Sequence, residues 1–443
     1  MSVRQLYQLK VRTAAELCDA VARLIAAGRL SVGDQLPTVR ELAAALGVSP
    51  TTVAAAYRTL AQRGLVRGAG RRGTLVAASP PLPIAAEQPL PPGVVDLTRG
   101  NPDRALLPAL RSHLRRLADD TKGYGEAATL PELEAVARAQ LRADGVPADR
   151  VIAVSGALDG VERVLVASLR PGDRVAVEDP GFPRVFDLVA ALGLVAVPVA
   201  IDAHGPIPDS FAAALASGVA ACVITPRAQN PTGAAFDAAR VRMLRAVLRD
   251  HPAVLVIEDD HAGPVAGVAA HTLVHARRER WAVVRSASKS LGPDLRVALL
   301  AGDSATLERV EGRQRLGPGW VSHLLQQLVL DLWADPAVGS ALERATDVYR
   351  ARRDALVDAL SARGIEVVAP SGLNVWVPVP DEARVVGALL DAGYAVASGA
   401  RFRIASAPAG RVTTAALPER RAGGVARAID IACASNPLLT ATS

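Results

Sequence analysis

Three things are scarce in this 443-residue chain, and each scarcity excludes something. Cysteine is limited to Cys18, Cys222 and Cys433, far apart and without metal-ligand spacing, so neither a disulfide framework nor a metal centre is expected. Long apolar runs are missing. The longest, 188–201, is interrupted by Gly193 and Pro198 and is too short to span a bilayer, so no membrane partner is expected. The N-terminal MSVRQLYQLK holds no apolar signal-peptide core, which makes the cytoplasm the expected compartment. Lysine is the third scarcity: of 50 Lys and Arg, only Lys10, Lys122 and Lys289 are lysines. Chemistry that requires a primary amine has few candidates.

What is present is unevenly placed. Residues 1–76 hold 11 Lys/Arg against 4 Asp/Glu, a charge of +7, whereas the rest holds 39 basic and 40 acidic residues. A small basic segment on a near-neutral body is the electrostatic footprint of a nucleic-acid-binding module, although a solvated basic tail has the same charge. Residues 77–93 carry six prolines and no helical or strand period. They read as a semi-rigid linker, which at ~3.1 Å per residue spans roughly 50 Å. The linker separates a head, 1–76, from a body, 94–435. In the body, the runs 151–154, 175–178, 221–225, 254–258 and 282–285 are apolar without alternation. They predict buried strands of a parallel sheet covered by helices. Helix and strand signals recur from about residue 345, predicting a smaller C-terminal α/β subdomain.

In the head, Leu17, Val21, Leu24 and Ile25 recur at helical spacing. Thr38 followed by Glu41 has the pattern of a capping box, and opens a helix carrying Val39, Leu42 and Leu46 inward. Gly47 marks the turn. Ser49 then caps a second helix whose first position is Pro50, and which turns Val53, Tyr57 or Ala56, and Leu60 inward. Two short helices around a glycine turn form a helix-turn-helix, with Ser49, Thr51, Thr52 and Arg58 on its second helix facing DNA. A strand, the basic Gly70-Arg71-Arg72-Gly73 tip and a second strand follow as a wing suited to phosphate contact. The string LPTVRELAAALGVSPTTVAAAYRTLAQRGLV with GRRGTLV resembles the GntR-type winged helix. That resemblance implies that Arg40, Thr51, Thr52, Tyr57 and Arg58 lie near the DNA, with Arg71 or Arg72 at the wing.

In the body, Lys289 sits in Ser286-Ala287-Ser288-Lys289, directly after a strand. A lysine that forms a Schiff base needs such a place, with hydroxyls (Ser286, Ser288) and a fixed charge (Arg296) for a cofactor phosphate. Asp259 follows another strand and suits a protonated pyridine nitrogen. Asn230, in Asn230-Pro231-Thr232-Gly233, suits a ring hydroxyl. Ser155, Gly156 and Ala157 precede a helix and form an anion cradle. Phe182 offers a stacking face. Singly, Asp259 also reads as a cap, Asn230 as a turn and Phe182 as core; together they recur at strand ends in one order.

This ordered set resembles fold type I aminotransferases, and its combination with a GntR-type head resembles the MocR/PdxR subfamily of regulators. The fold implied is multidomain: a largely α-helical winged-helix head plus an α/β fold type I body. The resemblance implies pyridoxal 5′-phosphate as cofactor, Lys289 as the aldimine lysine, and the roles above for Asp259, Asn230, Phe182, Ser155, Gly156, Ala157, Ser286, Ser288 and Arg296. It implies that Tyr124 reaches the partner subunit's site in a head-to-tail homodimer. Arg411 is implied as the clamp for an effector or substrate carboxylate, with Arg401 and Arg403 as nearby rivals. Many relatives carry a tyrosine where this chain has His261, whose N–H can still donate to the ring hydroxyl. The function expected is a transcription regulator on double-stranded DNA that senses pyridoxal phosphate and an amino acid or amine. The alternative is an active aminotransferase with an accessory DNA-binding head; residual transamination is compatible with either.

Overall fold

The structure, a computed structural model, describes residues 3–9, 11–26, 29–62, 65–68, 73–76, 90–117 and 123–434. By internal contact the chain forms two units: residues 1–87 with 170–174 and 187–196, and the remainder.

The head of the first unit holds helices α1 (Ala14–Ala26), α2 (Val39–Leu46) and α3 (Pro50–Gln62), then strands β1 (Val66–Gly68) and β2 (Thr74–Val76). Helix α2 begins where the Glu41 N–H donates to Thr38 Oγ1 at 3.3 Å and the Thr38 N–H donates to the Glu41 carboxylate at 2.9 Å. This capping box contributes about 1 kcal/mol. Gly47, at φ 66°, ends the helix in the left-handed conformation that glycine adopts without a Cβ clash. The Thr52 N–H donates to Ser49 Oγ at 3.1 Å and starts α3. Strands β1 and β2 pair antiparallel. Leu17, Val21, Leu42, Val53, Ala56 and Leu60 close the core of the head.

From residue 90 the order is β3 (Val95–Leu97), α4 (Arg111–Arg116), α5 (Pro131–Ala143), β4 (Val151–Val154), α6 (Ala157–Ser168), β5 (Arg174–Asp179), α7 (Pro183–Ala191), β6 (Val195–Asp202), β7 (Gly205–Pro206), α8 (Pro208–Ala216), β8 (Ala221–Ile224) and α9 (Ala238–Arg249). Then come β9 (Leu255–Asp260), β10 (Trp281–Ser286), β11 (Ala298–Gly302), α10 (Ser304–Arg315), α11 (His323–Ala334) and the long α12 (Pro336–Ser361). The chain continues through β12 (Asn374–Pro378), α13 (Glu382–Asp391), β13 (Tyr394–Ser398), β14 (Ala409–Thr413) and α14 (Glu419–Ala434).

The large sheet runs β4-β11-β10-β9-β8-β5-β6-β7. Strands β5, β8, β9 and β10 are mutually parallel. The unbroken apolar runs predict a parallel sheet, but the sheet is mixed: β11 is antiparallel to both β10 and β4. A parallel neighbour needs a crossover helix, and residues 287–297 contain only a 3-10 turn, so the chain can only fold straight back. A second sheet, β12-β14-β13-β3, belongs to the small subdomain and takes β3 from the far end of the sequence.

Helix α6 lies very close to β10. A Cβ on Gly160 would come within 2.8 Å of Val284 Cγ1 and 3.2 Å of Val154 Cγ2. Gly160→Ala is therefore expected to lower stability by about 1–3 kcal/mol, because both neighbours are buried sheet residues with no room to retreat. Urea unfolding measures this; an unchanged midpoint would show that α6 can move outward at no cost.

Candidate cofactor and DNA-binding sites

On the head, Arg40, Ser49, Thr51 and Arg58 are exposed and Thr52 is half-buried. The Ser49 hydroxyl lies 2.7 Å from Thr51 Oγ1 and 2.8 Å from Thr52 Oγ1, so the three hydroxyls form one polar group at the start of α3. Tyr57 is not on that surface. It is buried, and its hydroxyl donates to the Pro37 carbonyl at 2.9 Å, tying α3 to the entry of α2. Arg71 and Arg72 lie outside the described residues.

In the body, parallel strands bring their C-terminal ends to one edge of the sheet. There β5 delivers Asp179, β8 leads to Arg227 and Asn230, β9 ends in Asp259 and Asp260, and β10 ends at Ser286. Lys289 follows Ser286 by three residues. Its Nζ donates to the Gly100 carbonyl at 2.6 Å. Burial, reinforced by the Arg411 charge and opposed by Asp259, pulls its pKa down to about 8. Asp259 is buried, and its Oδ1 has no hydrogen-bond partner. Burial and then the neighbouring Asp260 charge push Asp259 up to about 7, against the pull of Lys289.

Across the turn from Lys289, Arg296 is exposed and donates from Nη2 to the Ser155 carbonyl at 2.8 Å. Gly156, at φ 105°, caps α6, and a Cβ there would collide with the Arg296 guanidinium. Ser155, Gly156, Ala157 and Arg296 thus surround one helix N-terminus. The Ser155 N–H donates to Asp159. Ser286 is buried and its Oγ accepts the Ser288 N–H at 3.1 Å.

Asn230 and Arg411 meet directly: Arg411 Nη1 donates to Asn230 Oδ1 at 3.0 Å. Arg411 also donates to the Thr98 carbonyl, lies 4.6 Å from the centre of the Phe402 ring, and leaves its buried Nε unpaired. Burial lowers its pKa to about 10. Of its rivals, Arg403 is committed to Glu382 at 2.8 Å. Phe182 is half-buried at the start of α7, beside Gly181, whose N–H donates to the Phe402 carbonyl at 2.7 Å. Tyr124 is 95% exposed, with its ring centre 5.4 Å from that of Trp320 in an edge-on arrangement, and does not join this cluster within its own chain.

His261 departs from expectation in one respect. Its Nε2 lies 2.9 Å from the Ala228 carbonyl, which can only accept. Burial, then Lys289, lowers its pKa to about 4, so the ring is neutral near pH 7. The single ring hydrogen therefore sits on Nε2, and Nδ1 is left as an acceptor rather than the donor expected for a ring hydroxyl.

Residues 92–429 match the family Aminotransferase class I and II. Residues 13–76 match bacterial regulatory proteins of the gntR family. The chain is 40% identical over 410 residues to the vitamin B6 salvage pathway transcriptional repressor PtsJ of Salmonella typhimurium, covering 92% of this chain and 95% of that protein. It is 28% identical over 365 residues to the pyridoxine biosynthesis transcriptional regulator PdxR of Corynebacterium glutamicum, 78% of each chain. This chain belongs to the MocR-type regulators. Its DNA-binding head is GntR-type and its body is of the pyridoxal-phosphate-dependent aminotransferase kind. A solved structure of Thermus thermophilus aspartate aminotransferase, a tetra mutant, matches with a TM-score of 0.69 at 26% identity, over 77% of this chain and 97% of that one. No helix among the described residues is long and apolar enough to cross a membrane.

The residues of this MocR-type body fit pyridoxal phosphate. A buried carboxylate oxygen without a donor costs about 1–3 kcal/mol, and a protonated pyridine nitrogen is a donor of the kind that would relieve it. The helix N-terminus at Gly156, with Arg296 against it, suits a phosphate. Sequence reasoning passed over several residues that hold this edge together. Asp179 accepts from the N–H groups of Ile404, Ala405 and Ser406 and from Ser406 Oγ at 2.7–3.0 Å, fixing the segment before Phe182 to the small subdomain. Asp179 stands only three residues before Phe182 in the sequence, but its partners lie more than 220 residues away.

Two outcomes are expected. Asp179→Ala leaves three backbone donors unpaired, and should destabilise the protein by about 1–3 kcal/mol and weaken pyridoxal phosphate binding; wild-type values of both would remove Asp179 from this role. The second concerns pH. A folded carboxyl that keeps its proton above the unfolded value stabilises at low pH and loses that contribution as pH rises. The contribution of Asp259 to the stability of the cofactor-free protein should thus fall between 3.8, its ordinary value, and about 7, while that of His261, lowered to about 4, rises over the same window. Glu178 and Glu258, also pushed by burial to about 7, act in the same direction as Asp259. Urea unfolding across that window should show a shallower slope for Asp259→Asn; an identical slope would place the Asp259 proton elsewhere.

Proposed function

We propose that this MocR-type protein is a transcription regulator that responds to pyridoxal phosphate, with Lys289 as the residue that joins the cofactor covalently. When bound, the cofactor supplies an aldehyde that condenses with amines and a ring that withdraws electrons. The observation that carries this reading is Asp259, a buried carboxylate with an unpartnered oxygen in the electrostatic reach of the Lys289 amine. Asp259 pairs with the ring nitrogen, Asn230 and His261 lie at the ring hydroxyl, and Phe182 stacks on the ring. Ser155, Gly156, Ala157, Ser286, Ser288 and Arg296 hold the phosphate. Arg411 takes the carboxylate of an amino-acid effector, in the bidentate manner natural to a guanidinium.

The lowered pKa of Lys289 raises its neutral, nucleophilic fraction near pH 7. Occupancy acts on DNA only if the cofactor binds two arrangements of the protein with different affinity. Arg40, Ser49, Thr51, Thr52 and Arg58 face the DNA, with Arg71 and Arg72 at the wing. Two copies pair head to tail, and the exposed Tyr124 of each serves the other's site. The roles named for the Salmonella and Corynebacterium relatives support vitamin B6 supply as the regulated process. The aminotransferase reading rests on the same Lys289, Asp259 and Asn230 set, and sustained turnover of an amino acid with a keto acid would favour it.

Lys289→Ala should fold and yet show no borohydride-fixed adduct by mass spectrometry; a normal adduct would remove Lys289 from its role. Binding to the chain's own upstream DNA, at one salt concentration, should change severalfold when pyridoxal phosphate is added, and Arg58→Ala should weaken it without altering cofactor uptake. Specific binding indifferent to the cofactor would sink the sensing proposal.

A further inference from the structure

Asp260 follows Asp259 in sequence but faces the other way. Side chains alternate along a strand, so Val256, Glu258 and Asp260 lie on the face of β9 that carries the main core, and Ile257 and Asp259 on the opposite face. Asp260 therefore does not reach the cofactor side. It is 3% exposed and fully engaged. Its Oδ1 accepts from Arg227 Nε at 2.9 Å and from the Gly263 N–H at 3.2 Å. Its Oδ2 accepts from Arg227 Nη2 at 2.9 Å and from Arg285 Nε at 2.8 Å. Arg285 continues to Asp144, at the C-terminus of α5, at 2.7 Å. Two cations and two anions close on themselves in the interior; Arg227 and Arg285 are 6% and 7% exposed, and Asp144 31%.

The place of each member in the chain gives the network its reach. Arg227 immediately precedes Ala228, whose carbonyl accepts from His261, and lies three residues before Asn230. Arg285 immediately precedes Ser286 and lies four residues before Lys289. Asp260 stands between Asp259 and His261. One carboxylate thus ties together the three strand ends, after β8, β9 and β10, from which the ring-facing side chains project. The Arg227 fork spans both oxygens of Asp260, which fixes angle as well as distance.

We propose that Asp260, with Arg227, Arg285 and Asp144, is a positioning unit that sets Asn230, Asp259 and Lys289 at the mutual geometry pyridoxal phosphate needs. This rests on the cofactor reading above. Electrostatics agrees: the two guanidinium groups hold Asp260 well below the usual carboxylate range, and its retained charge raises Asp259. A site preorganised from behind in this way loses ligand affinity when the support is loosened, even where the contact residues are intact.

The test is titration of the full-length protein with pyridoxal phosphate, following the visible band of the bound cofactor, alongside the melting temperature of the cofactor-free protein. Asp260→Asn and Arg227→Lys are expected to raise Kd by about tenfold or more and to shift the band. Asp144→Asn, at the exposed end, is expected to raise Kd severalfold with an unchanged melting temperature. Variants that melt lower yet keep the wild-type Kd and band would overturn the proposal, since the network would then serve the fold alone. If Asp260→Asn does not fold, Arg227→Lys and Asp144→Asn decide by the same criterion. A wild-type chain that takes up no pyridoxal phosphate would overturn the cofactor reading and this one with it.

Discussion

Burial of Asp259 without a donor for one of its oxygens sets the terms for the body of this protein. The buried Oδ1 loses its water and accepts no hydrogen bond from the chain in return, with the Lys289 charge as the favourable influence on the group. The lost hydration is a standing cost that a cationic ring nitrogen can offset. The surrounding residues serve that condition. Lys289 is drawn toward neutrality by the same burial, Asn230 is held by Arg411, and the start of α6 is shaped by a glycine where a side chain would strike Arg296. Two buried groups at this edge, Asp259 Oδ1 and Arg411 Nε, are left without a hydrogen-bond partner by the chain alone.

Holding such a site requires rigidity from outside it. Asp179 accepts four hydrogen bonds from the small subdomain, Ser371 accepts the Ala228 N–H and donates to the Gly233 carbonyl, and Asp260 gathers two arginines. The two non-glycine residues at positive φ among the described residues, Ala228 and Arg296, both belong to this edge. Each costs about 1–3 kcal/mol of backbone strain that the surrounding contacts must override. The head solves a different problem with local means. Caps and turns fix its helices, a small apolar core joins them, and among the described residues Arg23, Arg29, Arg40 and Arg58 are exposed. One chain therefore joins a GntR-type DNA-binding head to a body of the pyridoxal-phosphate-dependent aminotransferase kind.

Much of this was legible in the residues because it depends on neighbours in the chain. Thr38, Gly47 and Ser49 delimit α2 and α3 through hydrogen bonds that reach three to four residues, and Pro50, with no N–H to satisfy, opens α3. Lys289 stood out because so few lysines compete with it, and Asp259, Asn230 and Ser286 because apolar runs precede them. What depends on distant partners was not legible. The reversal of β11, the entry of β3 into the small sheet, the burial of the Tyr57 hydroxyl against Pro37 and the spending of the His261 hydrogen on Ala228 all follow from residues brought together by folding.

The sequence by itself determined the split into a basic head and a neutral body, the helix boundaries of the head, and the order of the groups at the strand ends. Each follows from composition, periodicity or a local hydrogen bond. Only the tertiary structure decided which of those groups share one site, which hydrogens and charges they retain there, and that Arg227, Asp260 and Arg285 stand behind them. Burial and electrostatic coupling act through space, and residues 227, 260 and 285 become neighbours only when three strands lie side by side.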